Sequence, residues 1–193
     1  MFLKESTFLC PVCKSKLFAL PSQLKCLKGH SFDIAKQGYV NLLLDNTQNK
    51  RHGDDKLMVR SRRDFLEKGF YKELLDGICH AVKTNISENG VIADIGCGEG
   101  YYTSAVLNCG NFNVFGIDIS KDALKYAAKS LKNAQFAVAS AFSLPFSDKS
   151  VDCVLNVFAP IANEEYLRVL KPNGIFVCAV ALENHLLSLH FRA

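Results

Sequence analysis

No stretch of about 18 uncharged apolar residues occurs in the chain, so no segment is built to cross a membrane as a helix. The opening residues, MFLKESTFLC, lack both a long apolar run and a small-residue cleavage site. That argues against a secretory signal and predicts a cytoplasmic protein. Internal repeats and low-complexity tracts are missing as well. Disulfides are not expected despite eight cysteines, because cytosolic thiols stay reduced. Cys79, Cys97, Cys109, Cys153 and Cys178 are scattered and read as small buried apolar residues. There is no strong overall charge of one sign, the net value being +4. The excess is unevenly placed: residues 1–75 hold 14 Lys and Arg against 8 Asp and Glu, and the remainder holds 9 against 11. A basic N-terminal third suits a polyanionic partner, the plainer reading being a solvated surface.

What is present divides into three. With 193 residues, 49% apolar and 22% charged, the chain can form one medium domain and a small appendage. Residues 1–40 combine a Cys/His cluster with short apolar pieces and the turn residues Pro11, Pro21 and Gly29. Residues 41–82 read as a linker, polar after Leu44, followed by two helices broken near Gly69. Their apolar positions Leu57, Phe65, Leu66, Phe70, Leu74, Leu75 and Ile78 recur at roughly helical spacing. From 83 to 193 apolar runs alternate with helical patterns. VIADIG (91–96), NVFGIDI (113–119), QFAVAS (135–140), VDCVLNVF (151–158) and GIFVCAVA (174–181) predict five strands, with helices near 102–107, 121–131 and 163–170. Nearly all-apolar strands alternating with helices predict a doubly wound, mostly parallel α/β sheet covered on both faces. Its ligand belongs at the carboxyl ends of the strands.

The first strand–helix turn reads Asp94-Ile95-Gly96-Cys97-Gly98-Glu99-Gly100. Glycines there bring the backbone close to a ligand, and the helix that follows offers free N–H groups. A dinucleotide site prefers G-x-G-x-x-G, whereas this turn is G-x-G-x-G with a carboxylate two positions before it. Asp94, Gly96 and Gly98 therefore suit a cationic sulfonium or amino group better than a pyrophosphate. Asp118 ends the second strand, where its carboxylate can accept both hydroxyls of a ribose.

Near the N-terminus, Cys10-Pro-Val-Cys13 and Cys26-Leu-Lys-Gly-His30 give C-x2-C-x12-C-x3-H. Two close pairs across a hairpin-length gap let Cys10, Cys13, Cys26 and His30 close around a tetrahedral Zn2+. Four protein ligands leave no open position, so the zinc is expected to be structural. So small a module needs the metal to fold.

ASAFSLPFSDKSVDCVLNVF followed by YLRVLKPNGIFV resembles the third-to-fifth-strand region of class I S-adenosylmethionine-dependent methyltransferases, which have a Rossmann-like fold. That resemblance places Ala141 and Phe142 at the edge of the cofactor's adenine. With CPVC…CLKGH as a zinc-ribbon-like module, HSFDIAKQGYVNLL, RSRRDFLEKGFY and DIGCGEGYYTS, the chain from residue 10 to about 189 resembles the bacterial large-subunit ribosomal RNA guanine-N1 methyltransferases. The resemblance implies methylation of N1 of a guanine in a 23S rRNA hairpin by a homodimer whose zinc modules help hold the RNA. It also implies that Tyr71, Tyr102, Thr103 and His185 touch the S-adenosylmethionine. Family members continue beyond LLSLHFRA and add two strands. The pattern departs at His190, so the resemblance implies a sheet with one edge left open.

In chemical terms, guanine N1 carries a proton and is paired in a duplex, so the base must be exposed and the proton removed. No residue of the sequence is assigned as general base. Asn156-Val157-Phe158-Ala159-Pro160 stands where many amino methyltransferases carry an acidic motif, which disfavours adenine-N6 chemistry. Lys50, Arg51, Arg60, Arg62 and Arg63 are candidate phosphate contacts, the alternative being pairing with Asp54, Asp55 and Asp64. A small-molecule methyltransferase with a supporting zinc module and a binding remnant with little activity are the competing functions.

Overall fold

The computed structural model describes residues 4–44 and 53–181. Strands β1 (Lys4–Leu9), β2 (Lys16–Ala19), β3 (Gln23–Cys26) and β4 (Ser31–Asp33) form an antiparallel meander in that order. Next come β5 (Tyr39–Asn41), α1 (Lys56–Leu66) and α2 (Lys72–Asn85). The alternating part is β6 (Val91–Ile95), α3 (Tyr101–Cys109), β7 (Asn113–Asp118), α4 (Lys121–Ser130), β8 (Ala134–Val138), β9 (Val151–Val157), α5 (Asn163–Val169) and β10 (Leu170–Ala179). A second sheet runs β10-β9-β6-β7-β8-β5, with every pair parallel.

Local chemistry sets the boundaries. Asp55 caps α1, its carboxylate accepting from the Leu57 and Met58 N–H groups at 2.8 and 2.9 Å. The Ser120 hydroxyl caps α4 by accepting from Ala123 N–H. The break between α1 and α2 falls at Gly69, with φ 78°, as the sequence predicts. Asn173 takes φ 67°, a left-handed position that Asn tolerates better than most residues. Asp152 accepts from Val91 N–H and pairs with Lys171, while Asp148 pairs with Arg168, so both serve turn and strand starts.

Two features differ from the sequence reading. Residues 39–41, at the junction of the expected zinc module and linker, form β5, a sixth strand beside β8, with Val40 opposite Ala137. Three residues are too few to show a strand period, and only pairing with β8 makes them a strand. β10 also begins at Leu170, because Leu170 already pairs with Val151 before the turn interrupts the register.

Each face of the parallel sheet is covered differently. Ile92, Val114, Leu155 and Val157 meet Ile78 and Val82 of α2 and Val106 of α3, while Leu124, Ala127 and Ala128 of α4 pack on Phe136 and Val138. Ala93, Ile95, Phe115, Ile117 and Val154 on the opposite face share a core with Tyr166 and Val169 of α5 and with Phe8, Leu17 and Leu24 of the meander. Phe8 is 2% exposed, and its ring lies 5.5 Å from Phe115 and 5.7 Å from Phe146. Burying such a side chain contributes about 1.5–3 kcal/mol. Leu9 N–H also donates to Pro145 O at 2.8 Å. The Cys/His meander is thus docked through the main hydrophobic core.

Candidate active site and metal centre

The carboxyl ends of β6, β7, β8 and β9 open into two adjoining cavities. One, of about 350 Å³, is lined by Gly96, Gly98, Asp118, Ala141, Phe142 and Phe158 among others. The second, of about 390 Å³, is lined by Tyr71, Glu99, Tyr101, Tyr102, Phe65 and again Gly96, Gly98 and Phe158. Arg62 of α1 borders both. Together they make one cleft over the glycine turn.

That turn is possible because Gly96, Gly98 and Gly100 take φ 76°, 56° and 88°. Gly96 has a second reason to be glycine, since a side chain there would collide with Ala159 Cβ from the loop after β9. Asp118 braces the turn: its carboxylate accepts from Gly98 N–H at 2.8 Å and Ser120 N–H at 2.7 Å. Burial raises its pKa, against those two donors. Asp94 lies beneath the turn, 2% exposed, and accepts from the Thr103 hydroxyl at 2.6 Å. Burial, partly offset by that hydroxyl, pushes the Asp94 carboxyl up to about 7.

The sequence candidates therefore fall into three groups. Tyr71, Gly96, Gly98, Tyr102, Asp118, Ala141 and Phe142 all border the cleft. Asp94 and Thr103 are buried behind the glycine turn and border neither cavity. His185 lies outside the described residues, as do Lys50 and Arg51. Of the basic residues, Arg62 pairs with Asp54 at 3.0 Å and Arg60 with Asp64 at 3.9 Å. Arg63 sits 3.8 Å from Glu99 and 4.8 Å above the Tyr126 ring.

Glu99 was not singled out by sequence reasoning. Its side chain is only 8% exposed, and burial raises its pKa to about 6 while Arg63 pulls it down. Glu99 Oε2 and Tyr102 Oη are two buried oxygens with no hydrogen-bond partner among the described residues, and both residues line the second cavity. Buried polar atoms left without a partner are costly, so two at one cavity mark a place for a polar ligand. A carboxylate inside the glycine motif was the available signal. It stands out only with its partner, Arg63, which comes from a distant helix.

At the other end of the chain, the donor atoms of Cys10, Cys13, Cys26 and His30 all lie within 4.8 Å of one another. Cys13 Sγ and Cys26 Sγ are 3.8 Å apart, and His30 Nδ1 is 3.6 Å from Cys10 Sγ and 3.4 Å from Cys26 Sγ. Tetrahedral zinc with Zn–S bonds of about 2.3 Å needs sulfur–sulfur edges of about 3.8 Å. The donors fit. The Ser15 hydroxyl, 3.0 Å from Cys13 Sγ, helps bring that thiol down to about 6, favouring the thiolate that binds metal.

A fully parallel sheet with a glycine turn after one strand, an acidic residue at the end of the next and an open cleft between them defines a class I S-adenosylmethionine-dependent methyltransferase domain, here joined to a structural zinc ribbon. A family model for a methyltransferase domain matches residues 93–178, and one described as RlmA, N-terminal, matches residues 8–51. The chain is 35% identical over 192 residues to YxjB of Bacillus subtilis, a candidate 23S rRNA (guanine-N1)-methyltransferase, covering 95% of this chain and 67% of that protein. It is 34% identical over 184 residues to the 23S rRNA (guanine(748)-N1)-methyltransferase of Streptomyces fradiae, covering 93% of this chain and 65% of that one. In fold it is similar to the structure of a candidate S-adenosyl-L-methionine-dependent methyltransferase from Methanococcus maripaludis, with TM-score 0.59 and 20% identity over 71% of this chain and 68% of that one. The chain belongs to the 23S rRNA (guanine-N1)-methyltransferase family and spans about two thirds of the length of these relatives.

Proposed function

We propose that this protein transfers a methyl group from S-adenosylmethionine to N1 of a guanine in a 23S rRNA hairpin, acting in the cytoplasm as a homodimer. The observation that carries the reading is the docking of the Cys3His ribbon on the same core as the cofactor sheet, through Phe8 packed against Phe115 and Phe146. A ribbon held this rigidly presents its basic surface, including Lys14 against Ser143, at a fixed position relative to the cleft. The chain divides its labour in order: residues 1–40 serve RNA binding, the linker and helices of 41–82 bring Arg62, Phe65 and Tyr71 to the cleft, and 83–193 serve methyl transfer.

When bound, the cofactor supplies an electrophilic methyl group on a sulfonium. The chain's residues do the positioning, which can supply most of the rate in such a displacement. Asp118 takes the ribose hydroxyls, Ala141 and Phe142 border the adenine, and Tyr71 and Tyr102 line the amino-acid end. Glu99 accepts from the cofactor's ammonium group, which would satisfy its open oxygen. His185 and the backbone of Gly96 and Gly98 complete the site, and Thr103 acts from behind the turn, its hydroxyl holding the Asp94 carboxylate. Asp94, behind the turn, acts on the positive charge through its own negative charge.

Labelled S-adenosylmethionine incubated with unmodified 23S rRNA fragments tests the reading. Label appearing as 1-methylguanine is the expected result. Label on another base, or on small molecules alone, would overturn it.

A further inference from the structure

We propose that Phe158 is the platform on which the target guanine stacks during methyl transfer, a role that rests on the rRNA reading above. Phe158 follows the last residue of β9 and lines both cavities, so it stands at the junction between their Asp118 and Tyr102 sides. It is 43% exposed, an unusual position for a large aromatic at a strand end. Its backbone is held at φ 57°, a left-handed conformation that a bulky residue avoids. Such strain persists only where the surroundings impose it, and it gathers at functional sites.

The surroundings do impose it. Phe158 N–H donates to Ala179 O at 2.9 Å, tying the residue to β10. Behind it, buried Asn156 donates from Nδ2 to Pro160 O at 3.1 Å and to Tyr166 Oη at 2.7 Å, and Tyr166 donates to the same Pro160 carbonyl. Ala159 sits hard against Gly96, which leaves no room for the loop to retreat. The ring is thus fixed beside the glycine turn, with its edge-to-face neighbour Tyr71 at 5.5 Å. Phe142, 65% exposed, lines the first cavity as well. A half-exposed ring where the two cavities of the cleft meet suits a planar base lifted from its stack and brought to the cofactor, since nucleobases stack on aromatic rings whatever their edges.

The test compares wild type with Phe158→Tyr, Phe158→Leu and Phe158→Gly. Affinity for S-adenosylhomocysteine is read by calorimetry in all four and turnover is compared at saturating cofactor, because Phe158 also borders the cofactor cleft. Stacking of one base on an aromatic ring corresponds to about 10–100-fold, so kcat/KM on 23S rRNA fragments should fall by that factor in the Leu and Gly variants. Phe158→Tyr should retain activity within a few-fold. Independently of turnover, guanosine 5′-monophosphate added to the protein loaded with S-adenosylhomocysteine should show an upfield ring-current shift of its H8 proton. That shift should vanish in Phe158→Leu. If the shift is seen but wild type methylates no RNA, the platform stands and the rRNA reading fails. If RNA is methylated while Phe158→Leu keeps full kcat/KM, or wild type shows no H8 shift, the platform is refuted. Phe158→Gly relieves the left-handed backbone but loses the ring, so a Gly variant that transfers methyl groups to RNA at the wild-type rate, whatever its Tm, would also overturn the proposal.

Discussion

Asp94 offers a test that separates charge from shape. It is buried under the glycine turn with one short hydrogen bond, from Thr103 at 2.6 Å, and its carboxyl is raised from 3.8 to about 7, chiefly by burial. The folded value lies above the unfolded one. The contribution to stability is therefore fully present below about pH 4 and is lost as pH rises through about 7. A carboxyl with pKa about 7 is about one-tenth ionised at pH 6 and nine-tenths ionised at pH 8. A ligand whose positive charge needs that carboxylate should then gain about tenfold in affinity across this interval. S-adenosylmethionine carries the sulfonium charge, whereas S-adenosylhomocysteine does not. Both carry the ammonium group, so any titration of Glu99, raised to about 6, cancels in their ratio. Calorimetry with both ligands from pH 6 to 8 should show the ratio of affinities shifting about tenfold towards S-adenosylmethionine as pH rises. In Asp94→Asn, whose amide oxygen still accepts from Thr103, the ratio should be flat. Parallel profiles in wild type, or an unchanged shift in Asp94→Asn, would refute the reasoning.

Asp118→Ala removes the acceptor of two backbone N–H groups as well as a ribose partner, so affinity for S-adenosylhomocysteine should fall about 10²-fold or more, as read by calorimetry. Cys13→Ala should abolish stoichiometric zinc in elemental analysis. Because Phe8 shares the main core, it should also lower the Tm of the whole protein, and an unchanged Tm would show the ribbon and sheet to be independent. Arg60, only loosely paired with Asp64, remains a candidate phosphate contact, so Arg60→Gln should reduce the slope of log affinity for RNA against log salt by about one. Arg63 is engaged with Glu99 and Tyr126, and Arg63→Ala should weaken cofactor binding more than it alters that slope.

Much of this was legible along the chain. Five apolar strands between helical patterns predict a parallel sheet, because strands buried on both faces carry few polar residues. The glycine turn at 96–100 was readable because only glycine takes those φ values freely, and the break at Gly69 for the same reason. Paired cysteines at ribbon spacing announce their own geometry, and the four donors do converge. The sheet order, with β6 between β9 and β7, follows only from packing.

What the linear pattern could not carry were relations between distant segments. β5 becomes a strand only because β8 lies beside it, and three residues have no period of their own. That the meander would share one face of the sheet with α5 depends on Phe8 finding Phe115 and Phe146, more than a hundred residues away. Glu99 stands out only once burial leaves its oxygen without a hydrogen bond, and Phe158 only once Asn156, Tyr166 and Ala179 hold its backbone left-handed. Sequence by itself determined the five apolar strands and the helices between them, the glycine turn and the metal ligands, since each depends on near neighbours and on the intrinsic preferences of the residues. Tertiary structure decided which of those pieces share a core and which side chains end up buried and strained at the cleft, because desolvation and long-range packing exist only after the chain has closed on itself.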